Sequence, residues 1–356
     1  MKHVAVIILN WNGKHWLESF LNLVVERSPG ARVIVADNGS SDNSQSWVAA
    51  NAPSVEWLGL GSNHGYAGGY NRALSEIKDV RYAVLMNSDI EPLEGWLAPL
   101  VDRMDASENL AAIQPKILDH KRPDHFEYAG AAGGYMDALA YPFAAGRVMS
   151  HIEKDHGQYD TVDGQICRKV FWASGACLMV RVSAYQQAGG LDEQLFAHME
   201  EIDLCWRMQL HGYSIEAHGG SSVLHVGGGT LNALSPQKTF LNFRNSLLIV
   251  VKNLPTGSAM RILAARLFLD GLAGLVYLRQ GKGSHCWAIV RAHRDFYRLF
   301  SSFSLRPNAK KGWPSNGRYK GSILWDVYVK KQTVIQPSAL ATSRHRSHPH
   351  RLACGW

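Results

Sequence analysis

Around residue 89 the chain places a carboxylate where open α/β sheets meet their ligands. The run Tyr82-Ala83-Val84-Leu85-Met86 is apolar throughout, as befits a strand buried on both faces, and it stops at Asn87-Ser88-Asp89. An acid at the carboxyl end of such a strand borders the ligand crevice and can hold a divalent cation against a diphosphate. The same pattern alone also serves as a turn former or helix cap. Asp37-Asn38-Gly39-Ser40 repeats the choice after an earlier strand: Asp37 can accept hydrogen bonds from a ligand ring or ribose, or close an Asx-turn. In Gly61-Ser62-Asn63-His64-Gly65-Tyr66-Ala67-Gly68-Gly69-Tyr70-Asn71 the glycines allow close backbone approach, and a following helix start favours phosphate. A dinucleotide fingerprint belongs in the first strand–helix turn, which here reads Asn10-Trp11-Asn12-Gly13, so NAD binding is disfavoured.

Two later constellations add titratable groups. His198-Met199-Glu200-Glu201-Ile202-Asp203-Leu204-Cys205-Trp206-Arg207 carries three acids at a predicted helix start, where the helix dipole welcomes them. Glu200 and Asp203 share a face and Glu201 points elsewhere, so one acid can pair with Arg207 while another faces a cleft. There a carboxylate beside a bound sugar can take a proton from its hydroxyl. His225, followed by Val226 and three glycines, either completes a metal shell, donates to phosphate, or is structural.

The elements that must position these groups alternate. Strands are predicted at Val4–Leu9, Arg32–Ala36, Val55–Leu60 and Tyr82–Met86, with helices at His15–Val25, Ser44–Asn51 and about Tyr70–Ile77 between them. Such alternation calls for a parallel sheet with right-handed crossovers. From Ala111 to Val170 the pattern loosens to a weak strand at Ala111–Ile113 and a turn-rich stretch at Gly130–Gly134. Phe171–Val180 is strongly apolar, and helices follow over Val182–Ala188 and Glu200–His211. After Pro255 a helical stripe of Ile262, Leu263, Leu267, Leu269 and Leu272 suits packing on the core, a dimer partner, or a membrane surface.

A chain of 356 residues with 46% hydrophobic and 19% charged content buries a substantial core and is not disordered. Its five cysteines are scattered with no CxxC pair, which fits a reducing cytosol better than a disulfide framework or zinc site. The immediate start of a strand leaves no room for a signal peptide, and no apolar run is long enough to span a bilayer. The net charge of +7 is uneven: residues 307–356 hold nine Lys/Arg against one acid, leaving the first 306 residues at −1. Such a tail can meet anionic lipid headgroups or nucleic acid, though its last 15 or so residues read as solvated.

Taken together and in order, these residues resemble glycosyltransferase family 2, the inverting enzymes of GT-A fold. The likeness is greatest to the rhamnosyltransferase-like members that extend bacterial surface polysaccharides. The carriers are Val6–Gly13, Val35–Asp42, Asn63–Asn71, Leu85–Asp89, Ser174-Gly175-Ala176, Gly189–Glu193, Glu200–Arg207, His225 and Arg244-Asn245, spanning residue 3 to about 253. The resemblance implies a Rossmann-like, mostly parallel sheet flanked by helices over 1–253, a helical extension over 254–306 and a basic tail over 307–356. It implies transfer of a sugar from a nucleoside-diphosphate sugar to a glycan or polyprenyl-diphosphate-linked glycan. dTDP-rhamnose is one candidate donor, with UDP- and GDP-sugars open. The setting would be cytoplasmic, at the inner face of the membrane, with no nucleic-acid partner and with self-association left open.

Carried over by position, the resemblance gives Asp37 a contact to the nucleotide base. Asn10, Asn12, Asn63, Gly65, Asn71, Asn87 and Ser88 complete the nucleotide-sugar cradle. Asp89 would bind Mg2+ or Mn2+ with His225 assisting. Trp172, Ser174, Gly175 and Glu200 would meet the acceptor. Glu201 matches the second position of the family's Glu-Asp pair, the catalytic base, with Asp203 as the alternative. Two departures stand out: Asn87 replaces the first carboxylate of a DxD motif, and Glu201 is one methylene longer than the usual Asp. Two rivals are a GT-A domain that binds without transferring, and a nucleotidyltransferase. The latter needs a glycine-rich basic triphosphate loop that Asn10–Gly13 does not supply.

Overall fold

Strands that are apolar on both faces must be covered on both sides, and the computed structural model does this with helices. It describes all residues except 2, 162–163, 228–234, 305–309 and 336–356. The first half runs β1 (Val4–Asn10), α1 (Lys14–Glu26), β2 (Arg32–Asp37), α2 (Ser44–Asn51), β3 (Glu56–Gly59), α3 (Gly65–Glu76), β4 (Tyr82–Asn87), β5 (Ile90–Pro92), α4 (Leu97–Asp105), β6 (Leu110–Asp119) and β7 (Arg122–Phe126). Short strands β8 (Gly134–Met136), β9 (Pro142–Ala144), β10 (Arg147–Val148) and β11 (His151–Ile152) form a separate sheet. The chain continues through β12 (Cys167–Lys169), β13 (Cys177–Arg181), α5 (Val182–Gln187), α6 (Glu200–Leu210), β14 (Ser214–His225), α7 (Pro236–Asn253), α8 (Thr256–Arg279), α9 (Gly283–Ser304) and α10 (Ile323–Tyr328).

The main sheet has the order β12-β14-β6-β13-β4-β1-β2-β3, with β5 on β14 and β7 on β6. Strands β3, β2, β1 and β4 are parallel, and their register sets Asn10 beside Asp37, Asp37 beside Gly59 and Leu9 beside Asn87. Their carboxyl ends therefore form one rim. Alternate residues divide between two cores: Ala5, Ile7 and Leu85 pack toward Tyr70 and Leu74 of α3, while Val4, Val6, Ile8 and Val84 pack toward Leu17 of α1 and Leu100 of α4.

The α/β expectation holds, with four corrections. Beyond β4 the sheet is mixed, because β13 enters antiparallel between β4 and β6. Its starting end thus lies at the same rim. The weak strand at Ala111–Ile113 is the beginning of a ten-residue buried strand, and the turn-rich stretch leads into β8, the first strand of the small second sheet. Helix α3 starts at Gly65 rather than Tyr70, with Asn63 Oδ1 accepting the Gly65 N–H, and Gly69 within it packs so closely on β1 that a Cβ would lie 2.6 Å from the Leu9 side chain. Of the stripe after Pro255 only Ile262 is buried, Leu267 and Leu272 are exposed, and Arg266 and Asp270 face the protein instead.

Residues 310–335 of the basic segment fold back onto the body. Trp206 donates its indole N–H to Gly312 O, Trp313 stacks on Trp206, and Met136 and Tyr319 exchange backbone contacts around Gly317. The solvated end expected for the last 15 or so residues lies outside the described residues.

Candidate active site

The part of the rim at the ends of β1 and β2 is built by asparagines that shape tight turns. Asn10 donates to Asp37 Oδ1 at 3.0 Å and to Ser40 Oγ at 3.1 Å, while Asp37 Oδ2 accepts the Ser40 backbone N–H at 3.0 Å. Asp37 thus closes its own turn, as the Asx-turn reading expects, and stands at the rim. Asn12 takes a left-handed backbone (φ +52°), which Asn tolerates, and accepts the Ser41 N–H. Asn63 Oδ1 accepts the Gly65 N–H, and Asn38 clamps the same loop through Asn63, His64 and Gly65. Asn38 is a positioning residue that motif reading passes over.

Asp89 is buried just past β4, where β5 pairs with β14 and sets Ile90 opposite His225. The His225 Nε2 lies 3.2 Å from Asp89 Oδ1, and its Nδ1 lies 3.2 Å from Glu127 Oε2. Burial penalises the imidazolium, but the flanking Asp89 and Glu127 outweigh this and push His225 up to about 10. Burial would likewise raise Asp89, yet the His225 contact holds it below its ordinary range. Asn87 and Ser88 are half-buried beside it. Glu127 has no sequence signal; only the β6–β7 hairpin brings it to β14. Were its Nε2 proton given up, His225 and the Asp89 carboxylate would suit a cation completed by phosphates and water, not an all-protein cage. In keeping with that, the described residues hold no group of three or more His, Cys, Asp or Glu arranged for a metal. Of the glycines after His225, those beyond Gly227 lie outside the described residues.

Across the rim stands the start of α6. Phe196, His198 and Met199 all take positive φ immediately before it, a costly backbone for side-chain-bearing residues. Asn245 of α7 holds the loop in place by donating to the Leu195, Ala197 and His198 carbonyls. Glu201 is half-buried, and burial pushes its carboxyl up to about 7. Glu200 is buried with Oε2 unpartnered among the described residues; burial and the neighbouring Glu201 charge raise it well above the carboxylate range. A second buried atom without a partner among the described residues, Asn10 Oδ1, lies on the Asp37 side of the rim.

The turn Ser174–Ala176 joins the two sides. The Asn87 N–H donates to Ala176 O at 3.0 Å, and Tyr66 Oη donates to Gly175 O at 2.6 Å. A Cβ on Gly175 would lie 3.7 Å from Glu201 Cβ. Gly175 therefore lies between the Asp89 strand and Glu201, and Tyr66 is a neighbour that sequence alone did not single out.

Four predicted site residues serve the scaffold instead. Asp203 is fully buried and takes Arg207 at 2.8 Å, Lys252 at 2.6 Å and Asn253 at 2.9 Å. Burial opposes its charge, but the two cations win and hold it far below the usual range, which leaves it no role as a base. Asn71 binds Leu191, Glu193 and Tyr185, tying α3 to the segment before α6. Trp172 is buried, donates to Tyr135 O and lies flat on Gly134, so it cannot face an acceptor. Ser174 is buried against Gln114 and Ala129. Asp203→Asn should lower unfolding stability by about 1–3 kcal/mol, since it removes the carboxylate that Lys252 and Arg207 share, while Lys252 keeps Asp192 and Arg207 keeps the Ala188 and Gly190 carbonyls. A denaturant midpoint measures this; unchanged stability with abolished turnover would restore Asp203 as a base. A surface hollow lined by Leu74, Lys78, Arg81 and Gln186 lies at the opposite, amino end of β4 and takes no part.

Comparison with known proteins shows the family and the fold. The family model "Glycosyl transferase family 2" matches residues 5–188. The chain is 28% identical over 241 residues to N-acetylglucosaminyl-diphospho-decaprenol L-rhamnosyltransferase of Mycobacterium tuberculosis, covering 62% of this chain and 75% of the relative. It is 26% identical over 250 residues to the low-salt glycan biosynthesis hexosyltransferase Agl10 of Haloferax volcanii, covering 69% and 74%. Among solved structures, GalNAc-T7 with UDP, GalNAc and Mn2+ superposes with a TM-score of 0.58 at 12% identity, over 86% of this chain and 59% of that one. The shared fold is GT-A.

Proposed function

We propose, from the premise that this chain belongs to glycosyl transferase family 2 and is a glycosyltransferase, that it moves a sugar with inversion from a nucleoside-diphosphate sugar to a lipid-linked glycan. The observation that carries the reading is the pairing across one turn of a buried Asp89–His225 site with a carboxyl group, Glu201, tuned near neutrality. In the proposed step an acceptor hydroxyl attacks the anomeric carbon from the face opposite the diphosphate. Glu201 takes the hydroxyl proton as the new C–O bond forms and the sugar–phosphate bond breaks, and the nucleoside diphosphate leaves with the bonding pair. Asn10, Asp37 and the Asn38-clamped loop orient the nucleotide. Asp89 and His225 would hold Mg2+ or Mn2+, which when bound neutralises charge on a leaving diphosphate. Glu200, kept protonated by burial and by Glu201, can donate a hydrogen bond into the acceptor side.

The names of the relatives direct the first assay. Nucleoside diphosphate release is measured for dTDP-rhamnose, UDP- and GDP-sugars with Mn2+, with and without a polyprenyl-diphospho-N-acetylglucosamine acceptor. The expected result is release from one donor class that rises at least tenfold with acceptor. Donor binding without release in any combination would favour the non-catalytic alternative.

A further inference from the structure

We infer that the outer face of α8 is a docking surface for an anionic lipid bilayer. Helix α8 is turned inside out relative to an ordinary surface helix. Its protein-facing side carries Arg266 (2% exposed) and Asp270 (1%), paired at 3.2 Å and secured by Ser246, Tyr141 and His293. Its exposed side carries Met260, Ala264, Leu267, Phe268, Gly271, Leu275 and Leu278, spaced as one helical face, with Phe268 68% and Leu275 61% exposed. An apolar face of this length on a soluble surface marks an interaction site. Arg261 and Arg279 flank it, 18 residues or roughly 27 Å apart. Lys282 follows in the turn to α9, whose first turns expose Trp287 and Val290.

The charge pattern selects the occupant. Across residues 256–304 seven Lys/Arg face two acids, and both acids already have partners: Asp270 has Arg266, and Asp295 has Arg244. Two copies meeting through this face would bring cation to cation with no acid on either helix to answer them. A layer of anionic headgroups answers them, while the aliphatic and aromatic side chains enter the acyl boundary, the arrangement of an interfacial helix. No helix among the described residues is long and apolar enough to cross a membrane, so the contact is lateral. The inference fits a lipid-linked acceptor but does not rest on transfer.

The test is co-sedimentation of the full chain with vesicles of phosphatidylcholine alone or mixed with phosphatidylglycerol, without any glycan acceptor. Binding is expected to anionic vesicles, to weaken at high salt, and to fall at least about tenfold in the double variant Phe268→Ser/Leu275→Ser. Both side chains are exposed, so the melting temperature and acceptor-independent donor binding should be unchanged. Reversing the terminal cations with Arg344→Glu/Arg346→Glu/Arg351→Glu should leave most of the binding. Vesicle binding unaffected by the α8 variant, or abolished by the terminal one, would overturn the assignment. So would a stable dimer in ultracentrifugation that the α8 variant dissolves. Loss of turnover with vesicle binding intact would instead count against the proposed transfer.

Discussion

Glu201→Gln is expected to lower turnover by about 10²–10⁴-fold, the range for losing a general base, while donor binding persists. The substitution keeps the shape of the side chain and removes only its ability to accept a proton. Because burial disfavours the ionised form, the free group sits near 7, and only its deprotonated state can act. The rate at limiting substrate should therefore fall as pH drops below about 7, and this acid limb should vanish in the residual activity of the variant. Stability should move the other way. A carboxyl raised in the folded state costs stability as pH climbs from its unfolded value to about 7, a loss that is complete and constant above that, so the Gln variant should melt higher than the parent at alkaline pH. Near-normal turnover, or a parent profile flat through the acid range, would remove Glu201 from the reaction. The longer arm relative to Asp adds a second check: Glu201→Asp should retain more rate than Gln, since it keeps a base at shorter reach.

The second large effect concerns Asp89. Asp89→Asn should lower turnover by about 10²–10³-fold, comparable with deleting one fixed stabiliser of transition-state charge. A readout independent of turnover is donor binding by calorimetry. With the parent, Mn2+ should tighten nucleoside-diphosphate affinity, and with the variant that gain should disappear. The neutral isostere is chosen because it still accepts from His225, so the imidazole stays placed between positions 89 and 127. Removing Glu127 instead should leave the metal effect weakened rather than lost, because it acts only by orienting His225. If chelation left the parent's turnover and donor affinity unchanged, the cation would have no part in the reaction.

Much of the rim around the candidate site is legible in the sequence, and the reason is local. Strands β1, β2 and β4 announce themselves by short apolar runs, and turn formers at Asn10, Asp37 and Asn87 stop them at positions the parallel register then aligns. The pair Glu200 and Glu201 was legible for a similar reason, since three acids gathered at a helix start stand out against an apolar helix. What misled was residue type without its partners. Asp203 and Glu201 are both acids in the first turn of α6, yet one meets Lys252, Asn253 and Arg207 and the other meets none of them. Asn71, Trp172 and Ser174 lie within or beside motifs but point into packing contacts made by distant segments.

By itself, then, the order of residues determined the alternation of elements, the rim at the carboxyl ends of the strands and which acids lie near it. Period and turn chemistry act over a few neighbours and can be read from the chain. The tertiary structure alone decided which acid stays chargeable near neutrality, that Glu127 backs His225, and that α8 turns its leucines outward. Each of these outcomes depends on whether an opposite charge or a packed surface lies within a few ångströms. Residues tens to more than a hundred positions away supply that partner, and no local pattern encodes their arrival.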